Sequence, residues 1–433
     1  MARAERGREL FAVLRDLGWK ALSLGLERGG RLIVTVAAAP VLGTRAFGVL
    51  VFATTATAIL ALAADLGLGV WTTRTLARGD GDARDVVTVG LTLRGLAMAP
   101  YAVGVALIAR FAAQGDAQVA VVLLGIAAAF NAFSDHFGAI FRGSARFAEE
   151  TRLNATRGAL TMGGGLSALA VRPSLVWLCG ALAAASVGTF LQGLVGALRG
   201  GRRSGDATPG RRLAVTALRE SWPIWVAGLL SMLYFKVDTF FVRSLAGDAE
   251  LGTYGAAYKL FEGALLLPTV VLAATFPRLA RLRDDVPAQR ALERRVGSAL
   301  LAVGLLVGAV CHFGRTEIVL HIFGAGFQRA EESLGMLALG IPLVYVNAAL
   351  THFLIARDLE RVNLWLALMM LVVTVTLDIL LIPNGGGPGA ALATVLAEVA
   401  LTMCCLGALA LRRGAARAPP GARGASRTGR TPA

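Results

Sequence analysis

The 433-residue chain is 56% hydrophobic and only 16% charged, with a formal net charge of +15 and a mean hydropathy of +0.65. Soluble domains carry about 25% charged residues, so this balance excludes an ordinary aqueous globule. The Lys and Arg residues fall in short clusters between apolar runs, which excludes the nucleic-acid reading that the net charge invites.

A helix needs about 20 mostly apolar residues to cross a bilayer, and an open strand cannot cross it at all. The apolar runs predict an all-α polytopic membrane protein of twelve spans, at 21–42, 46–71, 86–109, 118–141, 154–171, 174–198, 220–242, 252–277, 296–314, 333–356, 362–382 and 388–411. Residues 1–20 are basic but lack a compact apolar core and a small-residue cleavage site, and read as a retained cytoplasmic leader. A basic, glycine-rich linker (200–219) separates a six-helix lobe at 21–199 from another at 220–411. The stretch His321–Gly335 is long enough for a short interfacial helix, and the Gly-, Pro- and Arg-rich residues 412–433 read as a disordered cytoplasmic tail suited to anionic lipid. Counted over alternating loops, 32 Lys and Arg lie on the side of the termini and six on the other, with five left inside helices. Short cytoplasmic loops collect these residues, so both termini are expected in the cytoplasm, on an inner-membrane protein. Cys179, Cys311, Cys404 and Cys405 sit inside apolar runs, so neither a disulfide framework nor a metal or cofactor site is expected.

An offset of 204 residues aligns Gly43, Gly48, Arg74 and Asp80 with Gly247, Gly252, Arg278 and Asp284; an offset of 216 aligns Asn131 and His136 with Asn347 and His352. Six helices per half is an even number, so the halves are expected to be parallel repeats about an axis along the membrane normal, as in secondary transporters.

The residues then show a resemblance. The run Ala39–Arg78, with Leu42-Gly43, Phe47-Gly48, Asp65-Leu66-Gly67-Leu68 and Arg74, is similar to the first helical hairpin of polysaccharide flippases of the multidrug/oligosaccharidyl-lipid/polysaccharide exporter superfamily. The run Ser231–Glu262, with Lys236, Asp238, Gly252 and Tyr254, resembles their seventh and eighth helices. The resemblance implies two six-helix lobes in a V around a central cavity and movement of lipid-linked oligosaccharide across the cytoplasmic membrane by alternating access. It implies as partners the anionic lipid-linked glycan, membrane lipid and glycan polymerase or export machinery. A multidrug exporter or a peptidoglycan-precursor flippase of the same superfamily stays open as an alternative.

Charges inside a membrane are costly and mark function. Arg28 and Arg31 share a helix face, and their planar forks suit phosphate; with Lys236 and Lys259 they are the expected cavity contacts for an anionic headgroup. Glu27, four residues from Arg31, offers it a local partner instead. Lys236 and Asp238, two apart, are expected on different faces with separate partners. Asp238, Glu262, Asp378 and Glu398 are candidates for ion coupling or interlobe pairing, and Asp65 for capping or pairing with Arg74. Pro223, Pro268 and Pro342 are expected to kink their helices. A membrane polymerase or ligase is disfavoured, because the external stretch holds His321, Arg329, Glu331 and Glu332 but no nucleophile with a base; ATP-driven transport is not expected either, because no phosphate-cradling glycine loop precedes a lysine. Enzyme activity is not expected.

Overall fold

The structure, a computed structural model, describes residues 2–80, 82–199, 210–282, 285–357 and 360–417. Every regular element among them is helical. The first helix, Ala2–Asp65, holds two spans, because Gly43 leaves the helical region at φ 74°, ψ 169°. Span 2 breaks again at Leu66 (φ 54°) and Gly67 (φ 72°), then continues as Leu68–Arg78. Spans 3 to 6 are Ala83–Phe111, Asp116–Gly143, Phe147–Val171 and Leu175–Arg199. Span 7 is Arg211–Lys236 continued as Asp238–Ala246, and span 8 is Asp248–Ala264 continued as Leu266–Arg281. The break in span 8 has a local cause: the ring of Pro268 collides with the carbonyl four residues back, at Ala264, where the helix stops. Span 9 is Val286–Phe313 and span 10 is Ala330–Ala356, joined by the short helix Arg315–Phe323 and a turn at Ala325–Phe327. The joining helix lies mostly ahead of the expected stretch His321–Gly335, taking only its first three residues, and leaves Leu320 and Ile322 exposed. Glu360–Arg417 holds spans 11 and 12, parted at Gly386 (φ 53°).

The chain is thus an all-α membrane protein of twelve spans in two six-helix lobes. Nine helices among the described residues are long and apolar enough to cross a membrane, and two of them, 25–65 and 364–409, each hold two spans. The remaining one, span 5 (Phe147–Val171), carries Glu149, Glu150, Arg152 and Arg157 in its first three turns, which lowers its hydropathy without stopping the helix. The same effect explains why spans 5, 7 and 9 begin at 147, 211 and 286 instead of 154, 220 and 296. Hydropathy marks the lipid-facing length and misses the charged turns beyond it. The leader continues the helix of span 1, part of the expected linker (211–219) belongs to span 7, and residues 200–209 and 418–433 lie outside the described residues. Neither Pro223 nor Pro342 interrupts its helix; span 7 is parted instead at Val237, whose backbone stays in the right-handed helical region (φ −66°, ψ −31°).

The repeat has direct geometric support. Gly43 and Gly247, 204 apart, adopt the same backbone conformation (φ 74°, ψ 169° and φ 90°, ψ 174°), which a side chain would strain. Spans 2 and 8 then cross so closely that a Cβ on Gly48 would strike the carbonyl of Asp248, and one on Gly252 the carbonyl of Thr44. Thr44 and Asp248 are themselves 204 apart. Val51 and Gly255, again 204 apart, also meet, with Val51 Cγ2 2.9 Å from where a Gly255 Cβ would lie. Each lobe therefore offers the same glycine to the same position of the other, as a pseudo-two-fold axis requires. Arg74 and Arg278 are both exposed, and Asp284 lies outside the described residues. The 216-residue offset joins less similar environments: His136 is fully buried with neither ring nitrogen hydrogen-bonded, whereas the half-buried His352 has Nδ1 2.7 Å from the Ala348 carbonyl.

Candidate functional site

Spans 1 to 6 and span 8 enclose a cavity of about 600 Å³. Its floor and walls combine threonines of span 2 (Thr54, Thr55, Thr57) with an unusual density of charge. Five cations line it, Arg28, Arg31, Arg94, Arg157 and Lys259, against four acids, Glu27, Asp65, Asp135 and Glu262.

Span 1 supplies the first group. Arg28 is exposed in the cavity, and no acidic side chain pairs with it among the described residues. Arg31 lies 3.1 Å from Glu27 Oε1, the local pair expected from their spacing, yet its side chain stays 61% exposed. Glu27 is shared: Arg157 of span 5 donates to it at 3.1 Å and to Asp135 of span 4 at 2.6 Å. Close packing fixes this junction. A Cβ on Gly158 would lie 2.8 Å from the Leu26 carbonyl, so spans 1 and 5 touch backbone to backbone beside the ion pairs.

Span 2 supplies Asp65, which pairs with Arg94 of span 3 and accepts a hydrogen bond from the Gly67 amide at 3.2 Å. Arg74, the partner expected from sequence, is exposed beyond the break and pairs with no acid among the described residues. The Asp65-Leu66-Gly67 motif is a turn that places a carboxylate on a buried arginine. Arg94 also donates to the Ala132 carbonyl, and its Nε has no hydrogen-bond partner.

The second lobe holds a lysine pair on one carboxylate, of which Lys259 lines the cavity and Lys236, expected there from sequence, does not. Lys236 and Lys259 (2.7 Å) both donate to Glu262, and Lys236 lies 4.4 Å from the Tyr258 ring centroid. Glu262 is thus the counter-ion of two lysines in its own lobe. Asp238 has separate partners, the Tyr254 hydroxyl and the Thr239 amide at 2.7 Å. Glu398 accepts from Tyr234 (2.5 Å) and Asn347 (2.7 Å), and Thr402 donates to Asn347 Oδ1 at 2.8 Å. Asp378 is fully buried with neither carboxyl oxygen hydrogen-bonded. These three acids lie in the second lobe and none lines the cavity.

Beyond the cavity, the side opposite the termini is sealed across the lobes. Besides the crossing at Gly48 and Gly252, Arg243 lies 3.7 Å over the Phe52 ring, and Phe47 meets Phe327 edge-on at 5.9 Å.

Arg94, Arg157 and Asp135 were not among the candidates from sequence. Arg94 carried a usable signal, an arginine inside an apolar run. Arg157 falls inside the expected span 154–171, but counting it with the charges of the preceding loop hides it as an intramembrane charge.

Residues 13–283 match the family described as "Polysaccharide biosynthesis protein". "Probable flippase AglR" of Haloferax volcanii is 26% identical over 197 residues, covering 44% of this chain and about two fifths of that protein's length. An inward-facing multidrug resistance MATE family transporter superposes with a TM-score of 0.75 at 18% identity, covering 90% of this chain and 95% of that one. The lipid II flippase MurJ in an inward closed conformation superposes with a TM-score of 0.69 at 13% identity, covering 89% and 87%. These structural likenesses show a common fold. The chain belongs to the polysaccharide biosynthesis protein family, with the twelve-span, two-lobed fold of the MOP superfamily of membrane transporters and flippases.

Proposed function

We propose that the chain flips a lipid-linked oligosaccharide from the inner to the outer leaflet of the cytoplasmic membrane by alternating access, with both termini in the cytoplasm. The observation that carries this reading is the surplus of positive charge in a cavity inside the helical bundle, above all Arg28, which has no acidic partner among the described residues. A fixed cation within a low-dielectric slab is costly; it is kept where an anion comes to meet it. A lipid-linked sugar carries phosphate or pyrophosphate between lipid and glycan, and arginine binds such a group through two parallel hydrogen bonds. Lys259 adds a second positive charge to the cavity wall, and Lys236, which does not line the cavity, shares its carboxylate Glu262. Threonines of span 2 offer hydroxyls to the sugar. Leu32 and Gly263 touch where spans 1 and 8 meet at the cavity edge, an apolar seam along which the lipid tail can stay in the membrane. A cavity for cationic drugs would need the opposite sign of charge, so the multidrug-exporter reading is disfavoured. Glycan polymerase or export machinery is the proposed partner on the far side, and no catalytic role is assigned.

The test is flipping of a fluorescent prenyl-pyrophosphoryl sugar in proteoliposomes. Arg28→Ala and the double variant Lys236→Ala/Lys259→Ala are each expected to slow flipping about tenfold, the worth of one charge-assisted hydrogen bond. Unchanged rates in both would remove these residues from the headgroup site.

For the driving ion we propose Asp378, with Asp238 and Glu398 beside the same lobe's tyrosines. A carboxyl group buried without a partner is rare and calls for a role. Asp378→Asn is expected to leave the protein folded and able to equilibrate the probe, while abolishing acceleration by an imposed proton or sodium gradient. Gradient-driven flipping that survives the change would place coupling elsewhere.

A further inference from the structure

We propose that the Asp65–Arg94 pair is an exchangeable latch, through which an anionic headgroup entering the cavity releases a clasp between the two lobes. The inference rests on the flippase reading and adds to it a means by which cargo alters the lobe contact.

The clasp lies on the side of the termini. Span 2 breaks at Leu66 and Gly67, and the break is seated on span 7 of the other lobe: a Cβ on Gly67 would lie 2.7 Å from the Ser221 carbonyl and 3.1 Å from Trp225 Cβ. Gly67 is required there twice over, by its positive φ of 72° and by that approach. Trp225 Nε1 reaches back 3.0 Å to the carbonyl of Leu62, in the last turn before the break. Such carbonyls lose their helical partner and need another donor. Next to the break, Leu68 and Trp71 pack with Val86 and Val89 of span 3 and Ala217 of span 7 in a separate apolar cluster.

Asp65 connects this clasp to the cavity. One carboxyl oxygen accepts from the Gly67 amide and so closes the turn; the other faces Arg94. Arg94 is 1% exposed whereas the Asp65 side chain is 26% exposed, so the carboxylate covers the guanidinium on the cavity side. Arg94 is anchored by the Ala132 carbonyl and retains an unpartnered Nε. A phosphate needs what Asp65 provides, an anionic oxygen facing the guanidinium fork, and provides more of it. When the headgroup takes Arg94, Asp65 is displaced, the Gly67 turn loses its side-chain support, and the seat for Ser221 and Trp225 loosens. The same carboxylate thus keeps the empty cavity neutral at Arg94 and the lobes clasped.

The experiment uses the full-length protein in lipid nanodiscs, without native cysteines, spin-labelled at Arg78→Cys and Arg212→Cys, two exposed positions flanking the clasp. The probe is a fluorescent prenyl-pyrophosphoryl sugar. Adding probe is expected to lengthen the label distance in the parent protein. Asp65→Ala is expected to show the long distance without probe and to bind it about tenfold more tightly, because no carboxylate competes for Arg94. Asp65→Asn, which keeps an acceptor for Gly67, is expected to bind as tightly while staying short until probe is added. A short distance in Asp65→Ala together with parental affinity in both variants overturns the latch. If Asp65→Ala does not fold, the affinity of Asp65→Asn decides alone. If the parent protein does not bind the probe, the flippase reading fails, and the unliganded distance in Asp65→Ala still decides whether Asp65 holds the clasp.

Discussion

Replacing Gly252 by alanine is expected to break the seal on the side opposite the termini and to abolish vectorial transport, although alanine is the better helix former. On propensity alone the change would favour the helix by about 1 kcal/mol. Against it, the new Cβ would sit on the Thr44 carbonyl, a backbone atom that cannot rotate away, so spans 2 and 8 must separate. Overpacking of this kind costs about 3 kcal/mol at the upper end of its usual range. That penalty falls only on the conformation in which the crossing is closed. A two-state equilibrium between openings to the two sides would then move by roughly a hundredfold, since 1.4 kcal/mol is a factor of ten. The measurement is labelling of Ala58→Cys, on the cavity wall, by a membrane-impermeant thiol reagent from each side of oriented proteoliposomes, in a cysteine-free background. The parent should react from the side of the termini and Gly252→Ala from the opposite side as well. Because of the pseudo-two-fold axis, Gly48→Ala should do the same to a similar degree, its Cβ meeting the Asp248 carbonyl. One-sided labelling in both variants with intact transport would show that the crossing is not the seal.

That pair of glycines shows how much of the fold was legible in the sequence. Span count, the two lobes and the repeat could be read because a bilayer imposes one length scale and because Gly43 and Gly247 do a job only glycine does well. Boundaries failed where chemistry and helix part company: the first turns of span 5 are charged, yet Arg146 bonds Glu149 and Arg142 pairs with Glu150 at 2.7 Å, so the helix runs on through them.

The site was legible in its sign and not in its connections. Lys259 with Glu262 and Arg31 with Glu27 follow from helical spacing. Lys236 with Glu262, Arg94 with Asp65 and Arg157 with Asp135 are 26, 29 and 22 residues apart and depend on how spans pack. Periodicity within one helix carries no information about which neighbour faces it. Asp65 illustrates the limit: its motif marked a turn and an arginine partner, but Arg74 is carried past the break, and only the packing of span 3 brings Arg94 to it.

Arg157→Ala is the substitution expected to cost most stability. Arg157 is 5% exposed and holds carboxylates from two other spans, Glu27 of span 1 and Asp135 of span 4. Removing one member of a buried ion pair costs about 3–5 kcal/mol, because the partner remains as an uncompensated charge. Asp135 is 64% exposed and can turn to water, which argues for the lower end; Glu27, at 12%, cannot, and its remaining partner Arg31 is mostly solvated. A loss of roughly 3 kcal/mol is therefore expected, read as a lower unfolding temperature in detergent. Arg157→Lys should recover only part of it, since an ammonium lacks the fork that reaches both acids. The decisive comparison is Glu27→Gln in the Arg157→Ala background. If the stranded charge is the cost, neutralising it restores stability, so the double variant should be more stable than Arg157→Ala alone. If the lost contact between spans is the cost, the second change should add damage. Restored stability without restored flipping would mark Arg157 as a residue that also tunes the cavity's charge for its anionic cargo.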